Sequence, residues 1–227
     1  MTDKYEAKII KSWHINADAW SAAIGSNEIE SRTLSTNKAI IDAIGAESVN
    51  TVLDLGCGEG WLVRKLASQG IQSTGVDAIE SFIQLCNSRA KDTEKTHFLH
   101  LTYEDIIEGK LVDKFDSIVC NFSLFGKDSV DNLIAKLSAC LNPNGRLIIQ
   151  TLHPDNIESE SDGWIDGSWD GFNENFIAPA PWYFRTLQSW INLFKENNFK
   201  TIETLSPKHP VTGKPVSIIF ILSCSWK

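Results

Sequence analysis

The stretch TVLDLGCGEG, residues Thr51–Gly60, decides the fold of this chain. Its first five residues form a short, mostly apolar run that is long enough for one buried strand. Three glycines follow, and a helical pattern begins at Trp61. Strand, glycine turn and helix make up the first unit of an open α/β sheet, in which ligands bind at the turn. The glycines let the backbone approach a ligand closely and adopt φ angles that side chains forbid.

A second strand is predicted about twenty residues further on, where the run Gln72–Val76 ends in Asp77. An acidic residue at this place can bind the two hydroxyls of an adenosine ribose, so we expect a nucleoside-type cofactor. The glycines have the spacing G-x-G-x-G, whereas a dinucleotide-binding turn has G-x-G-x-x-G. Asp54, just before the first glycine, would repel a pyrophosphate and attract the positive amino or sulfonium group of S-adenosylmethionine.

With these features together, LDLGCGEG followed by GVDA resembles motifs I and II of the class I S-adenosylmethionine-dependent methyltransferases. The pattern L-x-P-x-G-R-L at Leu141–Leu147 is typical of the same superfamily. The segments IESRTLSTNKAI, NFSLFG, QTLHP, PWYFRTLQSW and P-x-S-I-I-F extend the resemblance, over nearly the whole chain, to a bacterial group of stand-alone methyltransferase-like proteins. The resemblance implies an α/β fold. It is a Rossmann-like, doubly wound sheet of about seven strands in the order 3-2-1-4-5-7-6, with the last strand antiparallel.

The chain is predicted to form a single domain, residues 1–227, with four regions. Residues 1–46 have helical spacing and are expected to form an N-terminal helical cap. Residues 47–152 form the cofactor-binding core, and residues 153–183 an inserted aromatic lid. Residues 184–227 contain a helix and two strands with no helix between them, which suits a closing antiparallel hairpin.

Composition favours a small-molecule enzyme of the cytoplasm. The net charge of -8 and the sequence pI near 5.1 argue against a broad nucleic-acid-binding face. Five dispersed cysteines without a CxxC pair fit reduced thiols better than disulfides or a metal site. No apolar run reaches ~18 residues and the N-terminal segment lacks a signal-peptide pattern, so no membrane association is expected. The sequence does not indicate an oligomeric state.

The resemblance implies which residues bind S-adenosylmethionine and its product, S-adenosylhomocysteine. Arg32 suits a clamp on the cofactor's carboxylate, although it could equally be an exposed arginine near a helix start. Asn121 and Phe122, after the strand Phe115–Asn121, would lie near the methyl group, although the asparagine could be a simple cap. The predicted cofactor-binding residues are Arg32, Asp54, Gly56, Cys57, Gly58, Trp61, Asp77, Ala78, Thr102, Tyr103, Glu104, Asn121 and Phe122.

The contact to the adenine amine is the part of this set that the sequence leaves open. The family often has an acidic residue where this chain has Thr102. Either Glu104 or Asp105 takes over that contact, or backbone groups of Tyr103 make it.

The segment 153–183 is expected to select the methyl acceptor, since long connections in compact domains are functional or disordered and this one is rich in aromatic residues. It holds seven carboxylates and no Lys or Arg, which favours a cationic or flat aromatic acceptor. In the alternative interpretation the acids are solvated and the aromatics fill a small core. The predicted substrate-binding residues are Trp20, Phe125, His153, Trp164, Trp182, Tyr183 and Arg185.

Methyl transfer by in-line displacement needs an aligned acceptor about 3 Å from the methyl carbon, and a base only for a weak, protonated nucleophile. His153, after the fifth strand, is the predicted base, with His14 as a second candidate. Tyr183 is predicted to orient the acceptor, and Arg185 to bind an acidic one. Two other functions stay open: a nicotinamide-dependent oxidoreductase and a non-catalytic protein that binds S-adenosylmethionine or S-adenosylhomocysteine.

Overall fold

The architecture comes from a computed structural model, which describes residues 4–45, 49–90 and 95–224. Parts of three predicted regions lie outside the described residues: 1–3 and 46 of the helical cap, 47–48 and 91–94 of the core, and 225–227 of the C-terminal region. The strands are β1 (Thr51–Leu55), β2 (Gln72–Asp77), β3 (Thr96–His100), β4 (Phe115–Asn121), β5 (Leu141–Thr151), β6 (Gly163–Ile165), β7 (Trp182–Phe184), β8 (Phe199–Leu205) and β9 (Ile218–Cys224). The helices are α1 (Lys4–Gly25), α2 (Asn37–Ile44), α3 (Trp61–Ser68), α4 (Glu80–Arg89), α5 (Tyr103–Ile107), α6 (Asp128–Leu137) and α7 (Leu187–Glu196), with a π-helical turn at Arg32–Thr36 and 3₁₀ turns at Ser138–Cys140 and Pro154–Asn156.

Seven strands form one mixed sheet in the order β3-β2-β1-β4-β5-β9-β8. The pairs among β1 to β5 are parallel, and β9 is antiparallel to both β5 and β8. Since β8 and β9 are the sixth and seventh strands of this sheet along the chain, the predicted order 3-2-1-4-5-7-6 with an antiparallel last strand is confirmed. Strands β6 and β7 form a separate antiparallel pair.

Both faces of the large sheet are buried, because side chains alternate along each strand. On β1, Leu53 and Leu55 pack in a cluster with residues of α6 and α7, while Val52 packs on the opposite face with residues of α2 and α3. Parallel strands covered by helices on both faces have nearly continuous apolar sequences, which explains the run in β1 and β4. The helices packed on both faces hold the strands in place, and so they position the edge of the sheet at which the strands end.

The glycine turn after β1 brings the backbone close to the ends of β2 and β4. The amides of Gly56 and Cys57 donate to the carbonyl oxygen of Val76 at 2.8 and 3.0 Å. Gly56 has φ +75°, and a Cβ atom there would lie 2.4 Å from Cβ of Ser123. The predicted need for glycine at this turn is therefore confirmed at Gly56.

The inserted segment 153–183 packs on the outer side of α1. Asn16 of α1 accepts from the amide of Ile177 at 2.9 Å and donates to its carbonyl oxygen at 2.8 Å. The hydroxyl of Ser12 donates to the carbonyl oxygen of Ala178 at 2.8 Å. The ring of Trp169 lies against Trp13 of the same helix. Helix α1 is thus held from outside by backbone bonds and an aromatic contact to the insertion.

Two local features follow from the strand bounds. Residues 142–145 interrupt the pairing of β5 with β4, through a register shift between Phe115 and Ser117, and Asn144 has φ +65°. Strand β7 runs across the predicted boundary of the insertion at residue 183, which stays a prediction. Among the described residues, none of the helices is both long and apolar enough to cross a lipid bilayer.

Candidate active site

A cleft of about 1270 Å³, counting its open mouth, lies at the carboxyl ends of β1, β2 and β4 and is covered by α1. Such an edge is where open α/β sheets bind ligands. All thirteen residues predicted to bind the cofactor line this one cleft: Arg32, Asp54, Gly56, Cys57, Gly58, Trp61, Asp77, Ala78, Thr102, Tyr103, Glu104, Asn121 and Phe122. The structure therefore brings the whole predicted set together, from five separate stretches of sequence.

Asp54 points into the cleft from β1 with only 3% of its surface exposed. Its Oδ1 atom has no hydrogen-bond partner among the described residues. Burial, and then the neighbouring charge of Asp77, raise the pKa of this carboxyl to about 7. A cation placed beside Asp54 would favour its charged form, so the site is suited to a positively charged ligand group.

Asp77, at the end of β2, is held in place by the backbone of two turns. Its Oδ2 accepts from the amide of Gly58 at 2.8 Å, and its Oδ1 accepts from the amide of Ile79 at 2.9 Å. Burial raises the pKa of this carboxyl even though these bonds favour its charged form. Because each carboxylate oxygen has two lone pairs, both oxygens can still accept from a ligand hydroxyl.

Arg32 begins the π-helical turn between α1 and α2 and is 8% exposed. Its guanidinium carbon lies 5.5 Å from the ring centre of Trp20 and 5.3 Å from that of Trp61. Burial lowers its pKa to about 10, with Glu59 and Asp54 acting in the opposite direction. No hydrogen bond or ion pair joins this guanidinium to another side chain of the described ranges. Because Arg32 is buried, the alternative of an exposed arginine near a helix start is excluded.

Glu59 is a buried residue of the glycine turn that the sequence analysis did not assign. It is 2% exposed and pairs with Arg64 at 2.5 Å and Arg89 at 3.1 Å. Its Oε1 accepts from the amide of Trp61 at 3.1 Å. These contacts tie the first turn of α3 to α4 and so hold Trp61 beside Arg32. The position inside the motif was the only signal in the sequence.

At the adenine end of the predicted site, the two acidic candidates, Glu104 and Asp105, differ in their contacts. The side chain of Thr102 accepts from the amide of Asp105, whose carboxylate accepts from Thr102 in return, so the pair forms a capping box at the start of α5. Asp105 also pairs with Lys110. Glu104 lines the cleft and is exposed. Of the two acids left open, Glu104 is the one available to a ligand, because Asp105 is engaged in the cap.

Asn121, the last residue of β4, lines the cleft with a buried Oδ1 that has no partner among the described residues. The alternative of a simple cap is not supported, since this oxygen caps no backbone amide. Phe122 has φ +54° and donates its amide to the carbonyl oxygen of Gln150 at 2.8 Å. The left-handed conformation turns the chain sharply at the strand end. It is a strained conformation of the kind found at functional sites.

The predicted substrate residues divide into two groups. Trp20 and Phe125 line the cleft. The other five are absent from its lining: His153, Trp164, Trp182, Tyr183 and Arg185. Trp164 stacks on Tyr5 with ring centres 4.8 Å apart, and its edge meets Tyr183. The insertion thus supports α1 from outside. Trp182, Tyr183 and Arg185 line a smaller cavity that shares Phe122 and Phe125 with the cleft, so a lid at the acceptor pocket stays a prediction.

Arg185 makes three hydrogen bonds inside the protein with its guanidinium. It donates to the carbonyl oxygens of Gly126 and Lys127 at 3.0 and 2.9 Å and to Asp131 at 2.8 Å. It also lies over the ring of Tyr183 at 4.8 Å. These bonds hold the loop before α6 and favour a structural role for this buried side chain, so the binding of an acidic acceptor stays a prediction.

His153 is buried beside the end of β5, away from the cleft. Its Nε2 is 3.2 Å from the hydroxyl of Ser206, and its Nδ1 accepts from the amide of Asp155 at 3.3 Å. Both ring nitrogens have protein partners, so this arrangement argues against His153 as the base. His14 is exposed and does not line the cleft either.

Helix α1 supplies a wall that the sequence analysis missed. Glu6, Ala7, Ile9, Ile10 and Trp13 line the cleft. Their helical spacing was visible in the sequence, but it indicates a buried face without saying whether protein or ligand covers it.

The family model described as a methyltransferase domain matches residues 30–204. This chain belongs to the methyltransferase-domain family. The recognition of the class I superfamily of S-adenosylmethionine-dependent methyltransferases is thereby confirmed, and the sheet order agrees with it.

Two groups of curated O-methyltransferases are similar to this methyltransferase over about half of the chain. The ubiquinone biosynthesis O-methyltransferase of Rickettsia felis is 33% identical over 103 residues, which are 45% of this chain and 41% of that protein. The malonyl-[acyl-carrier protein] O-methyltransferase of Halalkalibacterium halodurans is 30% identical over 107 residues, 46% of this chain and 40% of that protein. The match thus spans about two fifths of the length of these relatives.

Solved structures share the fold over a longer span. The 1,6-didemethyltoxoflavin-N1-methyltransferase of Burkholderia thailandensis, with bound 1,6-didemethyltoxoflavin and S-adenosylhomocysteine, has a TM-score of 0.71 at 18% identity and covers 100% of this methyltransferase and 91% of its own chain. The glycopeptide N-methyltransferase MtfA, complexed with S-adenosylmethionine, has a TM-score of 0.66 at 12% identity, covering 82% and 92%. At these identities the likeness shows the fold alone.

Proposed function

We propose that this methyltransferase transfers a methyl group from S-adenosylmethionine to a small-molecule acceptor by in-line displacement. The observation that carries the proposal is a pair of buried, unpartnered oxygens in the cleft, Oδ1 of Asp54 and Oδ1 of Asn121. Buried polar atoms nearly always have partners, so two orphans in one cleft indicate a ligand with hydrogen-bond donors. The amino and sulfonium groups of S-adenosylmethionine supply donors and positive charge.

The other cleft residues fit the remaining parts of the cofactor. Arg32 has an unpaired guanidinium for the carboxylate of the methionine moiety. Asp77 can accept from the two ribose hydroxyls with its remaining lone pairs. Glu104 and the backbone at Tyr103 are available to the adenine amine. When bound, the cofactor supplies a methyl group that is already activated by the positive sulfur.

The chain's own contribution is to align the acceptor and to exclude water. Trp13, Trp20 and Phe125 form apolar parts of the cleft wall, and α1 covers it. Holding two reactants in line and dry can supply a large part of a rate enhancement. Since none of the predicted bases lies at the cleft, the proposed mechanism places no proton transfer on a histidine.

The relatives support the acceptor class within this proposal. The matched curated proteins are named for ubiquinone biosynthesis and for malonyl-[acyl-carrier protein], and a solved neighbour holds 1,6-didemethyltoxoflavin. The net charge of -8 supports a partner other than nucleic acid. The family match leaves the nicotinamide-dependent alternative without support. The five free thiols suit a reducing compartment, so a cytoplasmic location belongs to the same proposal.

Calorimetry with S-adenosylmethionine, S-adenosylhomocysteine and NADH tests the cofactor assignment. We expect micromolar binding of the first two, no binding of NADH, and loss of at least about tenfold in affinity in Asp77→Ala, because a charge-assisted contact is removed. Asp113→Ala is the matched control, since Asp113 is exposed and outside the cleft. Binding of NADH alone would overturn the assignment.

A turnover assay separates the enzyme from a non-catalytic binder. S-adenosylhomocysteine release would be followed over a set of phenols, heteroaromatic amines and carboxylic acids. Release that depends on one acceptor supports transfer. Tight cofactor binding without release across the set supports the non-catalytic alternative.

A further inference from the structure

Glu6 and Ser129 form a polar corner in the wall of the cleft. Glu6, on the first turn of α1, is 9% exposed, and both residues line the cleft. Oε1 of Glu6 accepts from the amides of Lys127 and Ser129 at 2.9 and 3.2 Å, and its Oε2 accepts from the hydroxyl of Ser129 at 2.5 Å. These bonds fix both side chains at the start of α6.

The polar corner has only acceptors to offer a ligand. A carboxylate has about four lone-pair sites, and the three bonds to Glu6 leave one of them, on Oε2. The hydroxyl of Ser129 donates its hydrogen bond to Glu6, so only its lone pairs remain for a ligand. A ligand group that meets this corner must therefore be a hydrogen-bond donor.

The polar corner lies far from the end of the cleft assigned to the methionine carboxylate. Glu6 and Trp20 are on the same helix, about 21 Å apart along its axis at 1.5 Å per residue. Arg32 contacts Trp20, and it is the only cation among the described residues of the lining. No cation of the described lining lies beside Glu6, and Arg185 behind the loop is paired with Asp131, so a negatively charged ligand group would be repelled by the Glu6 carboxylate.

The walls between these ends are apolar. Ile9, Ile10, Trp13 and Phe125 line the cleft, and the rings of Trp13 and Phe125 are 5.8 Å apart at an angle of 36°. Flat aromatic ligands suit such walls, since rings pack favourably in offset and tilted arrangements.

Gly126 makes the polar corner possible. A Cβ atom at this position would lie 2.3 Å from Oε2 of Glu6 and 2.2 Å from Oγ of Ser129. The carbonyl oxygen of Gly126 is bonded to Arg185, which holds the loop in place from behind. The corner is therefore supported by buried contacts on both sides.

We propose that Glu6 and Ser129 form the polar end of the acceptor subsite, and that this subsite takes a flat apolar molecule with an O–H or N–H donor and no negative charge. The inference rests on the proposed function, which assigns the strand-end wall to the cofactor. Glu6 is then a specificity-determining residue, and its bonded donor fixes the orientation of the acceptor ring.

Three probes of similar shape test the subsite on the full chain saturated with S-adenosylhomocysteine: 2-naphthol, 2-methoxynaphthalene and 2-naphthoate. Calorimetry should rank 2-naphthol at least about tenfold tighter than 2-methoxynaphthalene, which lacks the donor, and tighter still than the anion. Equal affinity of the first two probes, or no binding of 2-naphthol up to its solubility limit, overturns the inference.

Two variants assign the effect to the polar corner. Glu6→Gln should remove most of the preference for 2-naphthol over 2-methoxynaphthalene while S-adenosylhomocysteine affinity stays within about threefold, since the residue is remote from the cofactor end. Asp128→Asn is the matched control, because it removes an exposed carboxylate from the start of α6, the helix that Glu6 contacts, at a residue that does not line the cleft. An equal loss in both variants would indicate a general charge effect and overturn the assignment.

A third variant, Ser129→Ala, tests the polar corner even if Glu6→Gln fails to fold. Ser129→Ala removes one acceptor and leaves the two backbone bonds to Glu6, so we expect a smaller loss of the donor preference. A preference unchanged in both cleft variants overturns the proposal. Failure of S-adenosylhomocysteine to bind the unaltered chain would instead be a failure of the proposed function, and it is measured separately.

Discussion

The two walls of the cleft are built in different ways. The strand-end wall consists of residues such as Asp54, Asp77 and Asn121, which sit at the ends of parallel strands and are positioned by the neighbouring backbone. The α1 wall is held by side chains, with Glu6 bonded to the start of α6 and Asn16 bonded to the insertion. The strand-end wall is therefore fixed by the sheet, whereas the α1 wall depends on contacts between segments far apart in sequence.

This difference assigns separate tasks to the two walls. A cofactor shared by a whole superfamily is suited to the wall that the sheet itself fixes. An acceptor that varies among relatives is suited to the wall that can change without altering the sheet. Variants in each wall should then affect different ligands.

The largest effect is expected at Gly56, in the strand-end wall. Gly56→Ala would place a Cβ atom 2.4 Å from Cβ of Ser123 at a residue with φ +75°, so the turn must shift. We expect S-adenosylhomocysteine affinity to fall by about 100-fold or more. Gly163→Ala is the control, because a Cβ atom there meets nothing within 4 Å. Affinity within threefold of the unaltered chain would show that the turn does not define this wall.

Arg185→Leu tests the support behind the α1 wall. The change leaves two backbone carbonyl oxygens and Asp131 without their partner, so we expect the free energy of unfolding to fall by about 3 kcal/mol. Chemical denaturation measures this loss. If the unfolding free energy is unchanged and acidic acceptors bind more weakly, Arg185 binds the acceptor, as the sequence suggested.

Asp54→Asn tests the charge of the strand-end wall. Because the pKa of Asp54 is raised to about 7, its contribution to stability is complete below about pH 4 and is lost as the pH rises through 7. The variant should therefore raise the free energy of unfolding at about pH 8 by roughly 1–3 kcal/mol and change it little at about pH 5. Denaturation at the two pH values measures this.

The same variant should lower S-adenosylmethionine affinity by about tenfold at pH 8, because the charged partner of a cationic group is gone. In the unaltered chain, affinity should fall as the pH drops below about 7, where Asp54 becomes protonated. An S-adenosylmethionine affinity that stays constant from about pH 5 to 8 would show that Asp54 does not contact the cofactor.

The smallest effect is expected at His153. His153→Gln should leave methyl transfer within about twofold and lower the free energy of unfolding by less than about 1 kcal/mol, since it removes contacts to Ser206 and Asp155 only. Steady-state kinetics with the first acceptor found would check this. A fall in kcat of about 100-fold would show that His153 acts as the general base.

The sequence predicted the strand-end wall well because its residues follow short buried strands at fixed distances. Asp54 and Asp77 were located by their strands and the glycine turn, and Asn121 by its strand end together with the family resemblance. The sheet brings these strand ends together. The α1 wall could not be predicted in the same way. Glu6 is one of several charged residues on an amphipathic helix, and only its tertiary contacts with Lys127 and Ser129 distinguish it.

The insertion shows a second limit. Its aromatics and acids were visible, but sequence does not say which side of a neighbouring helix they cover. The sequence therefore left open whether its rings contact the acceptor or fill a small core, and in the structure Trp164 and Trp169 pack against α1.

The anchor between α1 and the insertion has a consequence for divergence among descendants of this gene. The contacts that Asn16 and Ser12 make to the insertion go to main-chain atoms of Ile177 and Ala178, and Ile177 is 56% exposed. Substitutions at 177 preserve the carbonyl and amide groups that hold the helix, as long as proline is excluded there. Ala178 has φ +48°, a conformation that excludes proline and disfavours β-branched residues. Selection can therefore alter the exposed side chain at 177 widely, while Asn16 and Ser12 are constrained, and lineages should differ more at 177 than at 12 and 16.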